Sequence, residues 1–470
     1  MPLLSLLSLP LLGGEADTEL DSLVRQAWAT SPAVKAARYR IQQYLARHEE
    51  LEGFGDPSVY AAMGAAERTR GVPGSTNYRA LTNNAVEVQG GVEMALEPGA
   101  YVSLGAAERW YDNPSDLPAY YQSLIGLRVR VPLLRDRGFL QWDLDRSRTL
   151  AEYHAVVADL VRILQELRQD TEKAYLNLQE AYAMAEVSQE AMKRFQALYD
   201  EATELVELKV VPEYQTAPAL MELELRRADQ LVYQRSIEAA LVTLRRLVGK
   251  DIEVKTTLKP VAFVDWANES KFVPVEGFEE ILASRGNYRI FLSRLQAARA
   301  DLRQSEDDLK PDVSLHVGAT WQGEHEFLPV GNDLVASDKH VGGEVTLVYT
   351  RPLNFREERA QRSRWQARIG ELNEQLQQTA NEVRAEIRTS ELFYRRAAER
   401  LAILSKARDA AIKTLDAENE RFRLGEGRSR NVLDAQKDLT TINQRLTQTA
   451  AELLRALADY NFATGYGRSE

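Results

Sequence analysis

The chain of 470 residues is written twice, and that repeat limits the possible folds more than any other feature. ALVTLRRLVG (240–249) lies over ALADYNFATG (456–465), and sliding back without a gap sets Leu208 over Leu424, Ala219 over Ala435 and Leu223 over Leu439. Upstream, TSPAVKAARYRIQQYLARHEELEGFGDPSVYAAMGA (30–65) parallels SRGNYRIFLSRLQAARADLRQSEDDLKPDVSLHVGA (284–319). Each of these reads as an amphipathic helix stopping at a proline that opens an alternating segment. VRVPLLRDRG and VYTRPLNFRE, around Pro132 and Pro352, then mark where strands give way to helix.

Each half therefore predicts helix, strands, a very long helix, a tight turn and a shorter helix. The first repeat spans 17–250 with strands over about 57–133, the segment 251–276 is a linker, and the second repeat spans 277–470 with strands over about 311–351. Residues 143–208 carry a seam at Val157, Leu160, Leu164, Leu167, Thr171, Ala174, Leu178, Ala181 and Ala185. Steps of three and four sustained this long are a coiled-coil seam. Its counterpart begins at Trp365, Ile369, Leu372, Leu376, Thr379 and Val383 and continues to about 424 without a proline. A helix of that length measures roughly 100 Å at 1.5 Å per residue, so two shorter helices (22–53 with 213–248, or 277–310 with 428–464) can stack end to end beside it.

The strands alternate. PDVSLHVGATW (311–321) puts Val313, Leu315, Val317, Ala319 and Trp321 on one face, with Asp312, Ser314, His316 and Thr320 on the other. In 86–97, Val86, Val88, Val92, Met94 and Leu96 oppose Glu87, Gln89, Glu93 and Glu97; 122–131 and 343–350 follow the same rule, and 101–111 follows it less well. A soluble half-buried sheet also alternates. Length of about ten residues, terminal aromatics such as Trp110, Trp321 and Tyr349, and a highly polar opposite face favour a transmembrane barrel with a wet lumen. The long polar loops 69–84 and 323–340 contrast with the tight turn EPGA (97–100), the asymmetry expected between the two sides of an outer membrane. Four to six such strands cannot close a barrel and an open edge cannot face lipid, so the chain must oligomerise.

Composition narrows the function. The formal net charge is -11 with signs mixed along the chain, so no basic stripe exists to neutralise phosphates, and nucleic acid is excluded as a partner. No cysteine is present, which removes disulfides, thiolate metal sites and cysteine nucleophiles and suits an oxidising compartment. Residues 1–16, MPLLSLLSLPLLGGEA, read as a signal peptide, with Gly14 and Ala16 as the small residues before cleavage. The five histidines show no ligand pair at helical spacing, GEG at 425–427 follows a helix rather than a strand, and nothing resembles a GxSxG nucleophile. The residues therefore predict no enzyme, no metal and no cofactor.

In combination these motifs resemble the TolC family of outer-membrane efflux ducts over about 20–465. SPAVKAARYRIQ, DPSVYAAMGA with its echo KPDVSLHVGA, VPLLRDRG, and above all LGEGRSRNVLDAQKDLTTINQRL followed by ALADYNFATG carry the resemblance. It implies a mainly α protein with β: two tandem structural repeats of long coiled-coil helices, plus antiparallel strands forming a trimeric outer-membrane β-barrel continuous with a periplasmic α-helical barrel. It implies a homotrimer in outer-membrane lipid, a periplasmic adaptor (membrane fusion) protein and an inner-membrane transporter, in an efflux or type I secretion system. Four strands per chain would then give twelve, and six would give eighteen. Without the strands, the alternative is a periplasmic coiled-coil scaffold with no transport role.

The resemblance also assigns sites. Asn431 and Asp434 correspond to the acidic ring at the narrow periplasmic entrance; Asn431 departs from relatives with aspartate there, leaving one acid per chain. Leu424, Gly425, Glu426, Gly427 and Arg428 form one helix-turn tip, and Val210, Val211, Pro212 and Glu213 form the other, together the surface for the adaptor. Arg428 and Arg430 are placed to pair with acids such as Glu213 and latch the tip. The glycines also let the chain reverse in a left-handed conformation.

Overall fold

Both halves run from two helices through strands to a 68-residue helix and a closing helix, with four strands in the first half and two in the second. The structure, a computed structural model, describes residues 15–71, 80–96, 99–112, 120–209, 212, 216–249, 260–325, 340–424 and 428–465. In the first half α1 (Glu15–Thr30) and α2 (Pro32–Glu52) precede β1 (Ser58–Gly71), β2 (Ala80–Leu96), β3 (Ala100–Asp112) and β4 (Tyr120–Pro132), followed by α3 (Leu140–Glu207) and α4 (Ala217–Val248). A short α5 (Phe263–Glu269) lies in the connection. The second half has α6 (Phe278–Ser284), α7 (Gly286–Asp307), β5 (Asp312–His325), β6 (His340–Thr350), α8 (Arg356–Arg423) and α9 (Ser429–Ala463). The long helices α3 and α8 contain 68 residues each.

The single helices expected over 22–53 and 277–310 are each broken near their start. Ser31 precedes Pro32, whose ring disfavours helical geometry for the residue before it. Arg285 is extended (φ -77°, ψ 121°), and Gly286 follows, where a Cβ would come within 2.6 Å of the Arg162 nitrogen and 2.7 Å of the Ala158 carbonyl oxygen. Only glycine lets α7 begin that close to the α3 backbone.

The described residues divide into two compact units, one within Met1–Arg40, Ala155–Leu292 and Glu374–Glu470 and the other within Ile41–His154 and Ser293–Asn373. The first is helical. Its core follows the α3 seam: Thr171, Ala174, Leu178 and Ala181 are buried, and Tyr175, Leu178, Leu20, Val24, Leu244 and Val248 pack in one cluster. Lower on α3, Ala191, Phe195 and Leu198 pack with Ala219 and Leu223 of α4, Leu415 of α8, and Val432, Leu433 and Leu439 of α9. The described part of the connection, 260–276, is packed rather than loose. Phe263 and Ala267 of α5 join the core with Leu446 and Leu454, Phe272 lies against Tyr394 and Tyr460 at ring distances of 5.2 and 4.4 Å, and the Val275 N–H donates to the Tyr460 hydroxyl at 3.0 Å.

The second unit contains one antiparallel sheet in the order β1-β2-β3-β4-β5-β6. The strands outrun the alternation that predicts them. Residues 69–71, 80–84, 323–325 and 340, expected in loops, continue the ladder, with Thr69 paired to Thr82 and Gln322 to His340. Backbone pairing propagates along an existing hairpin regardless of side-chain pattern. β2 and β3, on either side of EPGA in the sequence, are paired neighbours inside the sheet. Beside the sheet, Phe54, Tyr101, Phe139 and Trp142 form an aromatic group with centroids 5.0–6.3 Å apart. The Trp142 indole donates to the Leu51 carbonyl at 2.7 Å. A phenylalanine at positive φ precedes each long helix: Phe139 (59°) and Phe355 (44°). Among the described residues no helix is long and apolar enough to cross a membrane.

Candidate functional site

The register sorts the sheet into two faces. Directly paired residues share a face, so the row Met94, Val102, Val129, Val317 and Val345, and the row Val92, Leu104, Leu127 and Ala319, lie on the same side. This side is largely apolar and open to the surroundings: Val59 is 80% exposed, Met63 78% and Val345 74%. Trp110 and Tyr121, paired in register, lie toward one end of it, and Tyr349, paired with Val313, toward the other. The weak alternation of 101–111 has its cause here. Glu108 falls on the apolar face paired with Ser123, whose hydroxyl donates to Glu108 Oε2 at 2.6 Å.

The opposite face carries Glu87, Gln89, Glu93, Ser103, Arg109, Arg128, Arg130, His316 and Glu344. Arg109 pairs with Glu87 at 3.1 Å. His316, expected on the polar side, lies there between Arg130 and Thr346 in register, its Nε2 3.0 Å from Ser314 Oγ. A recess of about 710 Å³ opens on this side, lined by Glu93, Arg128, Arg130, His316 and Glu344 among others. A row of small residues, Gly91, Gly105 and Gly126, crosses the same face. Tyr60 lies over two of them, since a Cβ on Gly91 or Gly105 would meet its hydroxyl at 2.8 and 2.5 Å.

The second candidate region is the pair of turns that end the long helices. After α8, Leu424 is exposed, and Arg428 precedes α9 with an extended backbone (φ -98°, ψ 138°) and no side-chain cap. The Asn431 N–H donates to the Arg428 carbonyl at 2.9 Å. Val432, Leu433, Ala435 and Gln436 turn inward, which leaves Arg430, Asn431 and Asp434 on the exposed side, the last two one helical turn apart. Gly425, Glu426, Gly427, Val210, Val211 and Glu213 lie outside the described residues, so the latch between Arg428 or Arg430 and Glu213 does as well. Pro212 is exposed. In the first turn Lys209 takes positive φ (58°) where a glycine would be the ordinary choice, and its N–H donates to the Val206 carbonyl at 2.9 Å.

Sequence reasoning missed the charges that tie together the helices following these turns. Glu222 of α4, nearly buried, bridges Lys437 of α9 at 2.8 Å and Arg226 at 3.4 Å. Arg226 also pairs with Asp229 at 2.8 Å and lies over the Phe195 ring. Nearby on α3, burial pushes the Arg194 guanidinium below its ordinary range, only partly offset by Glu190. A helical wheel places these residues beside a seam but cannot say which neighbour faces them.

No family model and no curated protein matches this sequence. Solved structures do match. The outer-membrane channel OprN superposes with a TM-score of 0.70 over 96% of this chain and 91% of its own, at 19% identity. CusC, described in terms of transmembrane channel formation, gives 0.71 over 98% and 96%, at 15% identity. The outer membrane protein VceC of Vibrio cholerae gives 0.66 over 95% and 96%, at 17% identity. The chain has the TolC-family fold. The superpositions follow the chain over almost its whole length.

Proposed function

We propose that this chain is an outer-membrane channel acting as the passive exit duct of an efflux or type I secretion system. The carrying observation is the six-stranded sheet, apolar over one face and polar over the other, with β1 and β6 at its open edges. Unpaired strand edges cannot face lipid, so β6 of one copy pairs with β1 of the next. Three copies close eighteen strands, an even number as such barrels require. The apolar face contacts outer-membrane lipid, and the polar face with Arg128, Arg130 and His316 lines the water-filled lumen.

On this reading the long helices extend into the periplasm, and the turns at 208–216 and 424–428 contact a periplasmic adaptor. Asn431 and Asp434 face the entrance, where three copies of Asp434 around one axis focus a negative field. The channels OprN and CusC and the outer membrane protein VceC, which share the fold, support the channel reading. Energy comes from an inner-membrane transporter.

The test is membrane fractionation followed by conductance in a planar bilayer. The protein is expected in the outer membrane as a heat-modifiable trimer that forms pores; a soluble monomer without conductance overturns the reading in favour of a scaffold. Asp434→Asn is expected to reduce block by multivalent cations, and Arg428→Ala with Arg430→Ala to raise passive leak. Unchanged block and leak would remove the gate from the proposal while leaving the duct.

A further inference from the structure

The charges on the polar face of the sheet stand in definite rows. In register, Arg128 of β4 pairs with Gly318 of β5, and Gly318 pairs with Glu344 of β6. Arg128 and Glu344 thus rise from the same face two strand spacings apart, roughly 9–10 Å, with no side chain between them. Neither forms an ion pair among the described residues, and Glu344 Oε1 accepts from the Thr346 hydroxyl at 2.8 Å. On the other side of Arg128 the row continues through Ser103 to Glu93, which already accepts from the Ser58 hydroxyl at 3.2 Å. In the next row Arg130 pairs with His316 and lies over the Tyr101 ring at 5.8 Å.

Gly318 is the member of this row that nothing in the chain calls for. Its φ is not positive, and a Cβ there would meet the Glu344 Cβ at 3.8 Å and the Leu127 carbonyl oxygen at 3.9 Å, both ordinary contacts. A glycine inside a strand weakens it, and it marks a place of close approach by a ligand or another backbone. Here it leaves an open slot between a cation and an anion. The slot lies in the recess of about 710 Å³, whose wall holds both signs: Arg128 and Arg130 against Asp56, Glu93 and Glu344. An anion drawn to Arg128 is repelled by Glu344, and a cation drawn to Glu344 is repelled by Arg128. A solute carrying both charges satisfies both residues, its anionic group on the planar fork of the guanidinium.

We infer that Arg128, Gly318 and Glu344 form a binding site for zwitterionic solutes, with a carboxylate on Arg128, an ammonium on Glu344 and the body of the solute lying across Gly318. The inference deepens the proposed function, on which it rests, by naming a class of solute held on the lumen wall. Arg130, two positions from Arg128 on the same face, adds a second cation at the carboxylate end.

The purified oligomer is titrated, with saturation-transfer NMR as the readout, against three solutes of one chain length: ε-aminocaproate, caproate and hexylammonium. ε-Aminocaproate is expected to bind about three- to fivefold more tightly than either singly charged solute, the worth of one further exposed ion pair. Gly318→Val, which keeps both charges and fills the slot, is expected to abolish that preference, as are Arg128→Glu and Glu344→Arg singly. The double variant Arg128→Glu, Glu344→Arg is expected to regain it with the solute reversed. Caproate binding as tightly as ε-aminocaproate overturns the zwitterion assignment. A preference that survives Gly318→Val, or that fails to return in the double variant, overturns the site. Conductance of the unmodified protein in a planar bilayer reads the duct separately. A conducting trimer without the preference overturns this inference and leaves the duct standing, whereas the preference in a protein that conducts nothing supports the slot and sinks the duct.

Discussion

Gly249 sits against Thr30: a Cβ on this glycine would come within 3.1 Å of both Thr30 Cβ and Oγ1. The Thr30 hydroxyl donates to the Val248 carbonyl at 2.8 Å, so the end of α4 is fastened to the end of α1. The second half repeats the arrangement, since Gly465, at φ 75°, is pressed on Ser284. Gly249 adopts φ 101° and ψ 164°, a region open essentially to glycine alone. Gly249→Ala is therefore expected to cost of order 1–3 kcal/mol from backbone strain. The decrease should appear in the thermal unfolding of the helical unit, and Thr30→Ala in the same chain should recover only the steric part.

Tyr60 lies across Gly91 and Gly105, and this contact predicts a rescue. Gly105→Val puts branched carbons where the Tyr60 hydroxyl now is, 2.5 Å from an added Cβ. Overpacking of this kind costs typically about 1–3 kcal/mol, and the yield of heat-modifiable oligomer should fall. Tyr60→Ala alone should be mild, and combined with Gly105→Val it should restore the yield. Two changes that simply add would show that the residues do not interact.

The helices and the repeat were legible because a gapless offset and a heptad seam are statements about spacing alone. Thr171, Leu178, Leu372 and Val383, chosen from the seam, are all buried. Asn431 and Asp434, by contrast, came from the resemblance to the TolC family and not from spacing; both are exposed. Four things were not. The break at Arg285 depends on how closely α7 approaches α3 at Gly286, and the one at Ser31 on Pro32, which opens a new helix instead of ending the pattern. The strand ends depend on backbone pairing that persists where alternation stops. Glu108 was illegible because Ser123 on another strand completes it. The bridge from Glu222 to Lys437 joins residues 215 positions apart, and only the packing angle of two helices brings them together.

Asp136 gives a pH dependence with a definite sign. It lies in the turn after β4, where burial pushes its carboxyl above the usual range and neighbouring Asp307 adds to the shift, while the Gln141 N–H donor at 2.8 Å opposes it. Burial also raises Asp308 in the same group. An acid that holds its proton more tightly when folded binds more protons in the native state, so stability falls as pH rises from the unfolded carboxylate value near 4. Asp136→Asn keeps the Oδ1 acceptor and suits the positive φ of 55°. The variant is expected to lose less stability than the parent as pH rises above about 4. Equal slopes in unfolding experiments across that range would refute the assignment.

Glu222 supplies the strongest test of the packing near the turns. Its side chain is 5% exposed and faces two cations, Lys437 and Arg226, which are 35% and 19% exposed. Glu222→Ala leaves Arg226 with only the outer Asp229 and strands its charge against Phe195. Removing one partner of a buried pair costs about 3–5 kcal/mol, against about 0–1 kcal/mol for an exposed one. The expected loss lies nearer the buried figure. Lys437→Met removes the more solvated cation and still leaves Arg226 for the carboxylate, so it should cost less than Glu222→Ala. Glu222→Gln keeps the shape and one acceptor, and should fall between them. The same order is expected in thermal unfolding of the purified protein. A Lys437→Met variant less stable than Glu222→Ala would show that Lys437, not Glu222, is the charge the fold depends on.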